Sequence, residues 1–336
     1  MTAPKRIGKQ TVAFDNPPVI IGRASAVGPK EGKGPLKDYF DFIAEDTYFN
    51  DTSWEKAERK FFQTAAKLAI EKANLTPNDI HYFLAGDLLN QIISATYTAR
   101  SLPIPYVGLY GACSTMYEGL ALGAMLIDGG FADHVLAGVS SHYSTAERQF
   151  RFPTEQGVQR PLSSQWTVTG AAAMVLAAQG QGPRITHATI GKIVDLGVAD
   201  ATDMGAAMAP AAFDTIKQHL EDTGRDPGYY DLIVTGDLAK IGHRLVQALG
   251  EKQGLDLSNN YTDCGLLIYD TSQDVHAGGS GCACSGVVTA GFLLEEMQAG
   301  RYQKILGLGT GALHSPIASQ QGETVPGIAH AVAIEF

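Results

Sequence analysis

"YGACST" (110–115) sets a cysteine among small residues where one apolar run hands over to another. The strand-like "PYVGLY" (105–110) feeds Gly111-Ala112-Cys113, and "TMYEGLALGAMLIDGG" (115–130) follows with helical spacing. A thiol so placed lies at a helix N-terminus, where free N–H groups and the dipole favour negative charge and lower its pKa from roughly 8.5. Ser114 and Thr115 suit capping there. Two readings stay open at this point: a nucleophile, or a compact side chain filling space at a tight bend.

Working outward, the surroundings of this stretch occur twice. "DIHYFLAGDLLNQ" (79–91) and "DLIVTGDLAKI" (231–241) each give an Asp, an apolar run and a Gly-Asp-Leu turn. Downstream of each comes Ala-Cys-Ser, at 112–114 and 283–285, with Cys113 and Cys284 lying 171 positions apart. A Gly- and Ala-rich apolar segment follows each, then a strand-like run, "HVLAGVSSH" (134–142) and "KILGLGTGALH" (304–314). Four features repeated in order indicate a duplicated α/β unit. The expected halves are 1–180 and 181–336.

Each half also carries an amphipathic helix. "TSWEKAERKFFQTAAKLAIEKANLTP" (52–77) places Trp54, Ala57, Phe61, Ala65, Leu68 and Ala69 on one face, with Thr52 and Glu55 spaced as a capping box. Its counterpart, "AAFDTIKQHLEDTG" (211–224), is closed by Gly224 and Pro227. Alternating strand and helix predicts largely parallel sheets. The segments after Ala-Cys-Ser are apolar nearly all round, so the expectation is two buried central helices with a sheet on either side.

Composition narrows the class. The chain has 336 residues, 45% hydrophobic and 18% charged, with a formal net charge of -10, which disfavours nucleic acid as a direct partner. Lys5, Arg6 and Lys9 make only a weak basic patch. No apolar run approaches the roughly 20 residues that span a bilayer, and the start does not read as a signal peptide. Four cysteines without disulfide spacing fit a reducing compartment. Cys282 and Cys284, at i and i+2, lack zinc-site spacing.

Five layers, a duplication and a cysteine opening the first central helix resemble the thiolase fold, an α/β five-layered α-β-α-β-α arrangement of two duplicated halves. "GACST" resembles the nucleophile turn of thiolases and ketoacyl synthases, and "TVTGAAAMVL" (167–176) resembles a Gly-rich turn of the same fold. More specifically, "LAGDLLNQ", "DGGFA", "TAERQFRFPTE", "DMGAAMAPAAFDTIKQHLED", "DCGLLIY", "GGSGCACS" and "TGALHSP" resemble the stage V sporulation protein AD family, across nearly all of 7–333. That resemblance implies a role in sporulation and germination. It implies binding of dipicolinic acid (pyridine-2,6-dicarboxylate) and its movement into the developing spore, alongside membrane proteins of the same operon. The expected location is peripheral on the spore inner membrane, on the forespore or mother-cell side. Related folds commonly dimerise, so a homodimer is expected.

Catalysis in this fold needs a thiolate, a base and oxyanion donors. The ketoacyl synthase histidine would fall in "TGDLAKIG" and the thiolase Gly-His-Pro in "GGSGCACS", and neither stretch contains one. The second thiolase cysteine would fall near "GLGTGAL" (307–313), which also lacks it. His142, His276 and His314 lie near these turns and could substitute. The favoured reading is a retired enzyme with Cys113 as a vestigial nucleophile. The alternatives are a Cys113-dependent acyltransferase with a non-standard base, and a scaffold with a vestigial pocket.

The candidate ligand contacts are Cys113, Asp87, Asn90, Arg151, Asp237, Asp263, His276 and Ser280. Helix starts at Cys113–Thr115 and Cys284–Gly286 would attract carboxylates. Arg148, Arg151 and Arg160 would pair with them, with Phe150 and Phe152 against a ring. Asn90 and Gln91 could donate to a carboxylate. Asp87 and Asp237 are most simply turn caps, and Asp263 is the leading acidic candidate for ligand contact. No resident cofactor is expected, though Ca²⁺ could accompany dipicolinate, since carboxylates are the ligands it prefers.

Overall fold

The computed structural model describes residues 5–150 and 160–336. Arg151 and Phe152 lie outside the described residues. Ten principal strands follow the chain: β1 (Val19–Val27), β2 (Tyr82–Gly86), β3 (Tyr106–Gly108), β4 (His134–Ser141) and β5 (Gly170–Ala177), then β6 (Arg184–Thr189), β7 (Leu232–Thr235), β8 (Tyr261–Asp263), β9 (Lys304–Ala312) and β10 (Gly327–Glu335). The spatial order is β8-β7-β9-β10-β6-β1-β5-β4-β2-β3. Each half therefore repeats one pattern, and the halves join where Arg184 pairs with Val19.

The sheets are mixed, not largely parallel as the alternation suggested. β2 runs parallel to β3 and β4, and β7 parallel to β8 and β9. β5 and β10 are antiparallel to their neighbours on both sides. β5 is apolar throughout and β10 nearly so, with His330 buried in it and Glu335 at its end, and both are buried on both faces, so their sequence carries no alternation to betray direction.

Helices α1 (Trp54–Lys72) and α2 (Ile93–Arg100) cover the first half from outside, packing Phe61, Phe62, Ala65 and Ala69 against Phe83, Leu136 and Val175. Ser53, not Thr52, caps α1, accepting from Lys56 N at 3.4 Å. Thr52 Oγ1 is taken instead by the Lys56 ammonium at 2.8 Å.

Two helices fill the space between the sheets. These are α3 (Thr115–Asp128) and a second central helix that begins at Cys282, runs as Cys282–Val288 and continues through a wide turn at Thr289–Leu293. Met116, Tyr117, Leu120, Val287 and Val288 are fully buried there. Tyr117 Oη reaches Thr289 Oγ1 at 2.9 Å, satisfying the polar end of a large buried ring. A Cβ on Gly309 of β9 would stand 2.6 Å from the Ser114 carbonyl oxygen, so only glycine lets this strand meet the start of α3.

On the far side, α5 (Met204–Thr223) and α6 (Ala239–Gln253) cover the second half. Gly224 ends α5 at φ 67°, as its position in the sequence implied. Outer helices, two sheets and central helices make five layers. No helix among the described residues is long and apolar enough to cross a membrane.

Candidate functional site

The site forms where the two central helices begin. Ala112 takes a left-handed φ of 51° before Cys113, and Gly281 takes 97° before Cys282. The equivalent of Cys113 is thus Cys282, two residues earlier than the matched Ala-Cys-Ser triplets suggested. The same duplication brings the two helix starts together. Cys282 Sγ donates to the Ala112 carbonyl at 3.1 Å, and Cys282 and the Asp237 carboxylate both act on the Cys113 thiol.

Asp237 is held beneath this thiol by a full set of donors. Thr310 Oγ1 reaches its Oδ1 at 2.6 Å, and Ser280 Oγ and Gly281 N reach its Oδ2 at 3.0 Å each. Burial pushes its pKa up, and these donors together with Cys113 pull it back. The consequence for Cys113 is opposite to the sequence expectation. The hydrogen bond to Cys282, burial, and the Asp237 charge raise the thiol well above its usual value. A helix N-terminus lowers a thiol pKa only when its field is not outweighed, and here a buried carboxylate opposes it. Ser114 and Thr115 do not cap: their hydroxyls donate back to Gly111 O and Ala112 O, at 2.7 and 2.6 Å.

A cavity of about 390 Å³ opens onto this turn. Ala112 and Cys113 line it, with Asp87, Leu88 and Asn90 from the turn after β2 and the neighbouring Tyr110. Helix α4 (Tyr143–Phe150) gives Ala146, Gln149 and Phe150, and the segment after β9 gives Leu313, His314 and Ser315. Thr167, Met204 and Ser280 complete it. An adjoining recess of about 250 Å³ shares Ala146, Phe150, Thr167, Ser280 and His314, making one cleft.

Of the candidates, Cys113, Asp87, Asn90 and Ser280 come together on the cavity wall, with Asp237 bonded to Ser280 from below and its charge acting on Cys113. Asp87 spends its carboxylate on its own turn, accepting from Leu89 N and Ala95 N at 2.8 Å each. Burial raises its pKa.

Asp263 is elsewhere, and this corrects its place as the leading acidic contact. Fully buried, it accepts from Thr235 Oγ1 (2.7 Å), Leu238 N (2.8 Å), Ala239 N (2.8 Å) and Gly265 N (2.9 Å). It pins the Gly-Asp-Leu turn that presents Asp237, and has no free lone pair for a ligand.

His276 is also outside the cavity wall. Its Nδ1 lies 2.8 Å from Pro161 O, and its Nε2 lies 3.3 Å from Asp274. Arg148 pairs with Glu55 and Arg160 with Asp274, so neither faces the cavity. His142 is buried, with Nε2 2.8 Å from Thr47 O and Nδ1 accepting from Ser144 N. His314 alone of the three histidines lines the cavity, its ring 5.4 Å from that of Phe150 and its buried Nδ1 without a bonded partner among the described residues. Burial lowers its pKa.

The residues missed from sequence are Cys282 and the pocket-facing role of Tyr110. Cys282 announced itself only as the residue after a glycine at a helix start; what it shares with Cys113 is the positive φ of the preceding residue, which Ala112 does not advertise in the sequence.

The profile of the family described as Stage V sporulation protein AD (SpoVAD) matches residues 8–335. The chain belongs to this family. It is 48% identical over 331 residues to stage V sporulation protein AD of Bacillus subtilis (strain 168), covering 98% of each chain. Among solved structures, the chain resembles 3-oxoacyl-[acyl-carrier-protein] synthase III from Aquifex aeolicus VF5, with a TM-score of 0.58, 15% identity, and coverage of 95% of this chain and 100% of that one. It also resembles cerulenin-bound Xanthomonas campestris OleA, with a TM-score of 0.63, 15% identity and coverage of 96% and 98%. At such identity these likenesses establish the thiolase-like fold, and the family places the protein in sporulation.

Proposed function

We propose that this SpoVAD-family protein is a non-catalytic receptor that binds dipicolinic acid in the cleft over Cys113 and takes part in its uptake into the developing spore, with a role in germination. One observation supports this most: the charge set beside the thiol is that of a buried carboxylate. An imidazole that takes the proton becomes a cation and stabilises the thiolate; a carboxylate starts as an anion and repels it. The turn keeps its shape without keeping its chemistry.

The cleft suits a small flat diacid. Asn90, Gln149 and His314 offer donors around it, and Phe150 and Tyr110 offer ring faces. Among the described residues no group of three or more His, Cys, Asp or Glu could hold a metal ion. Calcium enters this reading as cargo carried with the ligand's own carboxylates. The edge strand β3, with Val107 exposed in it and Tyr110 exposed just after it, supports a homodimer formed across it. Contact with the spore inner membrane would run through the membrane proteins of the operon.

A second reading, Cys113-dependent acyl transfer, is favoured by His314, the one cavity histidine with a free nitrogen. Incubation with acetyl-CoA followed by intact-mass measurement separates the two. A receptor leaves the mass unchanged, and an acyl adduct mapped to Cys113 rejects the non-catalytic reading.

A further inference from the structure

The carboxyl of Glu58 is fully buried, on the face of α1 that otherwise carries alanines and phenylalanines. Three elements converge on it. Its Oε1 lies 3.0 Å from Ser140 Oγ at the end of β4, and its Oε2 lies 2.7 Å from Thr145 Oγ1 in α4. Asp87 and Ser94 face it from the turn after β2 and the start of α2.

The hydrogens here can be counted. Thr145 Oγ1 is 2.7 Å from Glu58 Oε2 and 3.0 Å from His142 O, yet a hydroxyl has a single proton. Both contacts are hydrogen bonds only if Glu58 donates to Thr145 and Thr145 donates to His142 O. Asp87 differs, because its partners are backbone N–H groups, which can only donate. Of two buried carboxyls facing one another, Asp87 therefore carries the charge and Glu58 the proton.

We propose that Glu58 is a positioning residue, a protonated carboxylic acid that ties helix α4 and the end of β4 to α1 beside the Asp87 turn and so fixes the two walls of the cavity. As a contributor to ligand affinity, it rests on the cavity being the dipicolinate site. Ala146, Gln149 and Phe150 stand on one side of this tie, and Leu88 and Asn90 on the other.

The titratable groups around Glu58 are few. Asp87 faces it directly, and Cys282 feels the charge of both carboxyls. His142, at the entry to α4, has its pKa lowered by burial. Glu55 and Arg148 pair with each other at the surface, and Glu147 of α4 lines the adjoining recess. Loss of the Glu58 proton would set a second negative charge beside Asp87 and turn the Thr145 hydroxyl away from His142 O, leaving that carbonyl with Ala146 N alone at the first turn of α4 and loosening the helix.

Amide hydrogen exchange over residues 143–150, corrected for intrinsic rates and followed across pH in the ligand-free full chain, tests this. The wild type should lose about tenfold in protection as pH rises above neutral. Glu58→Gln should hold it flat, since the amide donates to Thr145 and accepts from Ser140 without titrating. Infrared spectra at neutral pH should show a protonated-carboxyl band that Glu58→Gln lacks. Dipicolinate affinity should track the protection. No difference in that band, or identical exchange profiles for the wild type and Glu58→Gln, would overturn the proposal. If the band and exchange behave as stated but dipicolinate does not bind, the ligand assignment falls and the role of Glu58 stands.

Discussion

The carboxylate of Asp237 sets its charge beside the Cys113 thiol, at the turn where a synthase of this fold would present its histidine. Reactivity should follow. Cys113 should react slowly with iodoacetamide at neutral pH, with a rate still climbing at about pH 9, because Cys282, burial and the Asp237 charge together hold the thiol protonated. Asp237→Asn removes that charge, lowers the thiol pKa, and should speed alkylation roughly tenfold at fixed pH. A rate unchanged by the substitution would show that the carboxylate does not govern the thiol.

Asp263 fastens the turn that presents Asp237, and burial pushes its pKa up to about 7 despite four donors. An unfolded aspartate titrates near 3.9, so between about pH 4 and pH 7 the folded state binds more protons than the unfolded. Stability is then full below this window and falls as pH rises through it, by at most about 4 kcal/mol from this group. Melting curves from about pH 4 to pH 8 should show that decline. Asp263→Asn should flatten it while lowering Tm throughout, because its NH₂ faces two donors.

Gly309 should not tolerate a methyl group. A Cβ 2.6 Å from Ser114 O must push α3 away from β9, and overpacking of this kind costs roughly 3 kcal/mol. Chemical denaturation of Gly309→Ala should show that loss together with faster alkylation of Cys113, since the displaced backbone is the turn itself.

His314 supplies a free nitrogen to the cavity and Phe150 a ring beside it. His314→Ala should weaken dipicolinate binding by about ten- to a hundredfold, the range for a hydrogen bond to a charged group. His314→Gln should recover part of it. Equal binding by the wild type and His314→Ala would place the ligand elsewhere in the cleft.

Much of the fold was legible because duplication writes itself twice. The Gly-Asp-Leu turns, Gly224 and the all-apolar central helices each have a local cause that a sequence displays. Strand direction was not legible, because β5 and β10 are uniformly buried and their alanines and valines fit either orientation. The register of the repeat slipped by two residues because matching triplets are a property of letters, whereas the helix start is set by positive φ at Ala112 and Gly281. At the site, Cys113, Asp87, Asn90 and Ser280 of the expected contacts do lie on the cavity wall. Asp263 was misplaced because a strand-end aspartate looks the same whether it greets a ligand or three backbone N–H groups. Glu58 was hidden by its neighbours, one acid in a helix that reads as ordinarily amphipathic.

The most direct measurement is calorimetric titration of the full chain with dipicolinate, with and without calcium, for the wild type and for Cys113→Ala. The account predicts saturable heat at one ligand per chain for both proteins, with affinities within a few-fold, because the thiol shapes the cavity without doing chemistry there. Absence of heat from the wild type at millimolar ligand would contradict it.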